Sequence, residues 1–313
     1  MGDVLHAIGV FFEQLASVDF GPLGLAVVCH VLKTACTSRA WRNAIAASYP
    51  DERVEWRSIY AAYVSAVGVN AVIPARGGDA VKLFLAHRAV PGATYTTLAS
   101  TLLVLSIFDT VVAGVLFAYA LTLGALPGLA ALPSLPGFDF GWFLDHGAFS
   151  LVLLASLLIG GIVGGFWLRL RIDDFKLRVR QGFAVLDDRR RYLRTVAVWQ
   201  AGDWLLRFVS IWFFLGAFGI EQNVQNVLLV QVTQSLATLV PVSPGGIGTE
   251  QAFIVYVFRG QGIARSTLLA YSVGMKLTLT LVNVVVGFTA LFLTLGHVRW
   301  RDIVGGDKPA PET

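Results

Sequence analysis

The chain has 313 residues, of which 56% are hydrophobic and 14% charged, and its mean hydropathy is +0.68. Soluble domains carry about 25% charged residues, so the composition excludes a water-soluble globule, a disordered chain and a nucleic-acid binder. At roughly 20 residues per span, the length allows about five to eight membrane helices and no separate soluble domain.

The basic residues that give the net charge of +4 are unevenly distributed. Nine of the 24 Lys and Arg residues lie between positions 169 and 194, and none precedes Phe20. Cytoplasmic loops of membrane proteins are enriched in Lys and Arg. We therefore predict a multi-pass protein of a bacterial or archaeal cytoplasmic membrane, with the N-terminus outside and the polar loop 37–57, the basic loop 169–194 and the C-terminus in the cytoplasm.

The hydropathy pattern predicts an all-α membrane protein. Residues 3–18 mix apolar and polar positions at helical spacing, which favours a helix lying in the membrane interface. The Gly- and Pro-rich residues 124–146 contain no Lys or Arg and predict an outside loop. Five apolar stretches predict full spans: 20–36, 95–123, 149–168, 196–218 and 268–295. This organisation predicts an interfacial segment, one membrane domain in two halves and a polar tail: 1–19, 20–297 (halves about 20–146 and 147–297) and 298–313.

Each half also contains an apolar helix that is interrupted by Pro and Gly and followed by a shorter helix. The predicted pairs are 58–73 with 79–90, and 224–240 with 248–259. Irregular backbone persists at membrane depth only where it is buried in protein or lines a wet cavity. In transporters such interruptions mark a site between inverted repeats. We predict two re-entrant hairpins inserted from opposite sides; the alternative is that both segments cross fully, giving seven to eight spans.

The interruptions carry chemistry suited to charged headgroups. Helix N-termini that follow Gly-rich turns attract anions, phosphate included. Arg76 adds a planar guanidinium that matches phosphate geometry. Asp79 and Glu250 lie at or near these N-termini, where they either cap the helix or gate the site and meet a cationic headgroup.

Ionisable side chains within apolar segments are costly and indicate function by default. Asp203 and Arg207 are four residues apart and predict a structural or coupling ion pair on one helix face. Asp109 and Lys276 occupy equivalent places in the two halves and predict a cross-bundle pair or a headgroup contact. Lys33 is interpreted as extending toward the cytoplasmic surface.

The two interruptions read Asn70-Ala-Val-Ile-Pro74-Ala-Arg76-Gly-Gly78-Asp79 and Pro241-Val-Ser-Pro244-Gly-Gly246-Ile-Gly248-Thr-Glu250. They resemble motifs of the flippase-like transmembrane domain of lysylphosphatidylglycerol synthases, and the hydropathy agrees over about residues 15–297. The resemblance implies handling of aminoacylated phospholipids, hopanoids or isoprenoid-linked glycans. The predicted substrate-binding residues are Asn70, Pro74, Arg76, Gly78, Asp79, Lys82, Asp109, Pro244, Gly245, Gly246, Gly248, Glu250 and Lys276.

The chain also departs from the family pattern. Lys82 stands where Arg is usual, and Glu250 comes one place earlier than the family's Glu. Leu105 and Ser106 occupy the places of a Glu-Arg pair that often precedes the residue matching Asp109. The resemblance covers no aminoacyl-transferase domain, so it does not imply lysyl transfer by this chain.

We therefore expect a membrane protein that translocates or binds a lipid or lipid-linked substrate between leaflets, of phospholipid, hopanoid or polyprenyl-phosphate type. Membrane lipids are the expected partners; we predict no enzymatic activity, cofactor, metal or nucleic-acid partner. The alternative is a non-catalytic subunit that recruits a separate glycosyl- or aminoacyl-transferase through the basic segment 169–194. A third hypothesis, an intramembrane enzyme using Asp109 or Asp203, has no recognised catalytic spacing behind it.

Overall fold

The computed structural model describes residues 17–73, 77–122, 172–239, 249–258 and 261–295. Within these ranges the regular structure is entirely helical, which confirms the predicted all-α class. The helices are α1 Phe20–Ser48, α2 Trp56–Val72, α3 Gly77–Ala89, α4 Tyr95–Thr122, α5 Ile172–Gly182, α6 Arg189–Tyr192, α7 Val198–Ala217, α8 Val224–Leu239, α9 Thr249–Val257 and α10 Arg265–Leu295. A 3₁₀ turn, Ala184–Leu186, precedes α6, and a π-helical turn, Leu193–Ala197, joins α6 to α7.

Three of the described helices are long and apolar enough to cross a membrane: Phe20–Ser48, Tyr95–Leu116 and Arg265–Thr294. They coincide with three of the five predicted spans. Helix α7 covers the predicted span 196–218, but Gln200, Asp203 and Arg207 make it more polar than those three. The predicted span 149–168, the outside loop 124–146, the tail 298–313 and the predicted interfacial helix up to residue 16 lie outside the described residues.

Large apolar side chains point outward along the three apolar helices. They recur every three or four residues, which places them on one stripe of each helix. The exposed positions are Leu25, Val28 and Leu32 on α1, Leu103, Ile107, Val111 and Val115 on α4, and Leu277, Leu281, Val285, Phe288 and Phe292 on α10. Contiguous apolar surface of this extent is typical of a membrane-facing protein.

Helix α1 is longer than the sequence predicted, because it continues through residues 37–48 to Ser48. The prediction that this stretch belongs to a polar loop was wrong. Small and apolar residues continue along one face of the helix, and Trp41 and Ile45 are fully buried there. Arg39 lies against the ring of Trp56, and the Arg42 side chain donates to the carbonyl of Val54 at 2.8 Å. The arginines therefore line the polar side of a helix whose other side is core.

Helices α1 and α7 pack side by side in antiparallel directions. Near one end, the hydroxyl of Ser210 donates to the carbonyl of Ala26 at 2.9 Å. Near the other, the amide of Asn43 donates to the carbonyl of Thr195 at 2.6 Å. These two bonds fix the register of the pair over its whole length.

The backbones of α2 and α10 approach each other closely where Gly68 meets Gly287. A Cβ atom at Gly68 would lie 2.7 Å from the Cα of Gly287 and 2.8 Å from the carbonyl oxygen of Asn283. Small residues at such a crossing let membrane helices approach closely. This contact joins the first half of the chain to the last helix of the second half.

Each half contains a hairpin of two helices followed by a long helix. Helices α2 and α3 form the first hairpin, which α4 follows, while α8 and α9 form the second, which α10 follows. The turn into each long helix contains a glycine with positive φ three residues before the helix begins: Gly92 at 67° and Gly262 at 72°. Other residues rarely adopt this conformation, so glycine is required in both turns.

The apolar core consists of two clusters. The first surrounds Trp41, Ile59 and Leu98 and includes Val185 of the basic segment. The second surrounds Phe214, Ile254 and Tyr271 and joins α7, α8, α9 and α10. The predicted basic loop is therefore largely helical and partly packed into the first cluster.

Candidate functional site

The first hairpin brings the start of α3 against the end of α2. The backbone N–H of Gly78 donates to Asn70 Oδ1 at 2.8 Å, so Asn70 satisfies one of the free N–H groups at the start of α3. A Cβ atom at Gly78 would collide with the carbonyl oxygen of Ala66. Glycine at this position is therefore required by the close approach of the two helices.

Two charged residues of the first hairpin pair directly. Lys82 Nζ lies 3.1 Å from Asp79 Oδ1, one turn back along α3. The Lys82 side chain is only 14% exposed and lies within cation–π distance of the rings of Trp41 and Tyr63, at 5.8 and 5.7 Å. Aromatic faces stabilise a desolvated ammonium. The half-exposed carboxylate of Asp79 is the accessible member of this pair.

The second hairpin also places a carboxylate at the start of its short helix. Glu250, in the first turn of α9, is only 6% exposed. Its Oε1 accepts from Gln234 Nε2 of α8 at 3.3 Å, and its Oε2 lies 3.6 Å from Lys276 Nζ of α10. Glu250 therefore connects all three helices of the second hairpin unit.

Asp203 and Arg207 form an ion pair on α7, as their spacing indicated. Arg207 Nη2 donates to Asp203 Oδ2 at 3.0 Å, and Thr37 of α1 donates to the other carboxylate oxygen at 2.7 Å. The guanidinium also lies over the ring of Trp204, 4.5 Å from its centroid. Asp203 is thus fully engaged at the interface between α1 and α7.

Asp109 connects α4 to α7 through a single hydrogen bond. The indole N–H of Trp204 donates to Asp109 Oδ1 at 2.9 Å. The predicted cross-bundle pair between Asp109 and Lys276 is wrong, because Lys276 pairs with Glu250 instead. Asp109 therefore lies beside the Asp203–Arg207 pair of α7, whereas Lys276 belongs to the second hairpin.

The geometry therefore consists of two hairpins, each with a carboxylate–lysine pair beside the start of its short helix, and a third charged group at α7. Over residues 6–305, the chain matches the family model described as the lysylphosphatidylglycerol synthase TM region. The chain belongs to this family. No curated protein and no solved structure matches it. Family membership and the apolar helices make it a multi-pass membrane protein with a lipid-related membrane function.

Several predicted site residues of this family member lie outside the described residues: Pro74, Arg76, Pro244, Gly245, Gly246 and Gly248. The described site residues fall into three groups. The first hairpin holds Asn70, Gly78, Asp79 and Lys82, the second holds Glu250 and Lys276, and the α7 group holds Asp109, Asp203 and Arg207. Within the described ranges, the structure groups no three His, Cys, Asp or Glu side chains as a metal site would require.

Three neutral side chains hold the carboxylates of these charged groups by hydrogen bonds, and the sequence analysis did not predict them. Gln234 holds Glu250, Thr37 holds Asp203 and Trp204 holds Asp109. Gln234 had a usable signal, because an amide in an apolar segment requires a polar partner.

Proposed function

We propose that the chain moves a lipid or lipid-linked substrate between the leaflets, and that it does so without catalysing a reaction. One observation carries this proposal: each half places a carboxylate–lysine pair at the start of its short hairpin helix. The pairs are Asp79 with Lys82 and Glu250 with Lys276. Charges are retained in apolar helices where they serve a polar path.

Such pairs can exchange partners with a headgroup. A lipid phosphate can replace the carboxylate next to lysine, and a headgroup amine can replace lysine next to the carboxylate. The partner exchange keeps every charge compensated, which lowers the cost of carrying a polar headgroup through an apolar layer. Phospholipids, hopanoids with polar headgroups and polyprenyl phosphates are the substrate classes that fit this chemistry.

An inverted repeat would place the two hairpins around one substrate path. Several features support this part of the proposal. The order of helices is the same in both halves, and α2 packs on α10 while α8 packs on α4. The left-handed glycines Gly92 and Gly262 occupy equivalent turns. A pseudo-two-fold axis relating the halves would produce these reciprocal contacts.

We also propose that the protein lies in a bacterial or archaeal cytoplasmic membrane with the N-terminus outside and the C-terminus in the cytoplasm. The basic residues between positions 169 and 194 support this orientation. Lys176, Arg178 and Arg180 of α5 are exposed, as expected for a surface that meets cytoplasm and anionic headgroups.

Lipid movement in vesicles tests the proposal. The purified chain is reconstituted with head-group-labelled lipids of three types: an anionic phospholipid, an aminoacylated phospholipid and a polyprenyl phosphate. A membrane-impermeant quencher then reports the fraction of label in the outer leaflet over time. We expect movement of at least one type, slowed about tenfold or more by Lys276→Met or Glu250→Gln, because each leaves its partner without a counter-charge. Arg76→Ala tests the predicted phosphate contact in the same assay.

A matched control is available on the surface. Arg53 and Glu55 form an exposed pair at 3.9 Å with side chains 91% and 60% accessible, so Arg53→Met removes a similar pair without touching the hairpins. We expect this variant to move lipid at the wild-type rate. Movement of none of the three lipid types by folded wild-type protein would refute the transport proposal.

The alternative, a subunit that recruits a separate transferase, is favoured by the surface of α5. This helix exposes Phe175 and Leu177 among basic residues. Deleting the whole basic segment would remove Val185 from the core, so charge reversal is the better test. If recruitment is the function, Lys176→Glu with Arg178→Glu abolishes capture of a transferase, while the purified chain moves no lipid.

A further inference from the structure

The register of α1 and α7 brings two cations opposite each other. Thr37 of α1 donates to Asp203 of α7, and the two helices run antiparallel. The residue one turn before Thr37 therefore lies level with the residue one turn after Asp203. Those residues are Lys33 and Arg207. The charges that act on Lys33 are those of Arg207, Asp203 and Asp109, which agrees with this register.

Both cations have N–H donors without a hydrogen-bond acceptor among the described residues. Arg207 gives one Nη2 bond to Asp203, while its Nε is buried and has no hydrogen-bond partner among the described residues. Within those same residues, the ammonium of Lys33 has neither a hydrogen bond nor an ion pair within 4 Å. The nearby carboxylates are already engaged, Asp203 by Thr37 and Arg207, and Asp109 by Trp204.

Both cations are partly buried between α1 and α7. Lys33 lies about 20 Å from either end of α1, at 1.5 Å per residue. A buried donor without an acceptor is destabilising, and Arg207 Nε is such a donor. An anion that accepts from Arg207 and Lys33 together would supply the missing acceptor. The ring of Trp204 covers one face of the guanidinium, 4.5 Å from its centroid.

We propose that Lys33 and Arg207 form a binding site, between α1 and α7, for the phosphate group of an anionic lipid headgroup. This inference rests on the proposed function and specifies the part of the substrate that the protein would recognise. Phosphate fits because it offers several acceptor oxygens to a guanidinium and an ammonium together. The Arg207 side chain is 31% exposed, so a ligand can reach it without breaking its pair with Asp203.

The test measures lipid retention by the purified chain in nanodiscs of neutral phosphatidylcholine with increasing phosphatidylglycerol. Native mass spectrometry counts the anionic lipids retained. Lys33→Met keeps a long side chain without the charge, and Lys33→Arg keeps the charge. Arg53→Met, which removes an exposed cation away from the hairpins, is the matched control for loss of one cation. We expect Lys33→Met to weaken retention about ten- to a hundredfold, as for the loss of one charged hydrogen bond, while the other two variants bind normally.

A parallel arm adds inorganic phosphate to the neutral nanodiscs and follows protection of Lys33 from an amine-reactive reagent. Protection by phosphatidylglycerol alone assigns the site to lipid phosphate, and protection by inorganic phosphate alone overturns the lipid assignment. The same labelling on wild-type protein decides the question if Lys33→Met does not fold. Absence of protection by anionic lipid then overturns the proposal.

Two further results separate this site from the proposed transport. If Lys33→Met retains anionic lipid as tightly as wild type, the site is refuted while transport stands or falls by the vesicle assay. If wild type retains anionic lipid through Lys33 but moves none, the site stands and the transport proposal fails. A fall in thermal stability of Lys33→Met with unchanged lipid retention would assign Lys33 a structural role and refute the site.

Discussion

The crossing of α2 and α10 gives the sharpest stability prediction, because backbone atoms of two helices meet there. A Cβ at Gly287 would lie 2.6 Å from the carbonyl oxygen of Val64 and 2.7 Å from the backbone nitrogen of Gly68. Atoms of the main chain cannot swing away as a flexible side chain can, so Gly287→Ala must push the helices apart. Overpacking of this kind costs about 1–3 kcal/mol.

The matched control is Gly114→Ala on α4, where nothing lies within 4 Å of the added Cβ. An exposed helical Gly→Ala change gains up to about 1 kcal/mol in helix propensity. The two variants therefore differ by about 1–4 kcal/mol in unfolding free energy.

The assay is the free energy or midpoint of unfolding in bicelles, measured for both variants and wild type under one condition. We expect Gly287→Ala to be less stable than wild type and Gly114→Ala to be at least as stable. Equal stability of the two variants would refute the close crossing and the contact between the halves that depends on it.

Two further predictions concern the ion pair on α7 and the contact between α2 and α3. Asp203→Asn leaves the Arg207 guanidinium without its counter-charge and should lower the free energy of unfolding by about 3 kcal/mol. Adding Arg207→Met should recover part of this loss in thermal unfolding. A double variant as unstable as Asp203→Asn alone would argue against the pair. Gly78→Ala should separate α3 from α2 and stop lipid movement in the vesicle assay. Its neighbour Gly77 meets side-chain atoms of Ile73, the nearest at 3.1 Å, and no backbone atom of α2. Gly77→Ala is therefore expected to impair lipid movement less than Gly78→Ala, and equal loss in both would contradict the predicted contact.

The sequence predicted the hairpins well because their signals are local. The first was predicted at 58–73 and 79–90 and lies at Trp56–Val72 and Gly77–Ala89; the second was predicted at 224–240 and 248–259 and lies at Val224–Leu239 and Thr249–Val257. Apolar runs that end at Pro and Gly fix such boundaries without tertiary information. The end of α1 was predicted too early. The mean hydropathy of a sequence window falls where one face of a helix becomes polar, even though the opposite face stays buried.

The pairing of site residues was harder to predict, because it depends on register between helices. Asp203 and Arg207 share one helix, so their spacing alone indicated the pair. Lys276 and Asp109 were matched by their equivalent places in the repeat, yet each has a partner on a neighbouring helix instead. Side chains on different helices meet according to packing contacts such as Thr37 with Asp203, which no spacing within the sequence reveals.

The lysines of the two hairpin pairs lie on different kinds of helix, and this difference bears on the proposed movement of lipid. In the first hairpin Asp79 and Lys82 lie on the same helix, so their pair survives any rigid movement of α3. In the second, Glu250 of α9 pairs with Lys276 of α10, so displacement of α9 from α10 must separate the two charges. A buried carboxylate cannot lose its counter-charge without a substitute. A headgroup amine that replaces Lys276 would allow α9 to move, which couples opening of the second hairpin to the presence of a charged substrate.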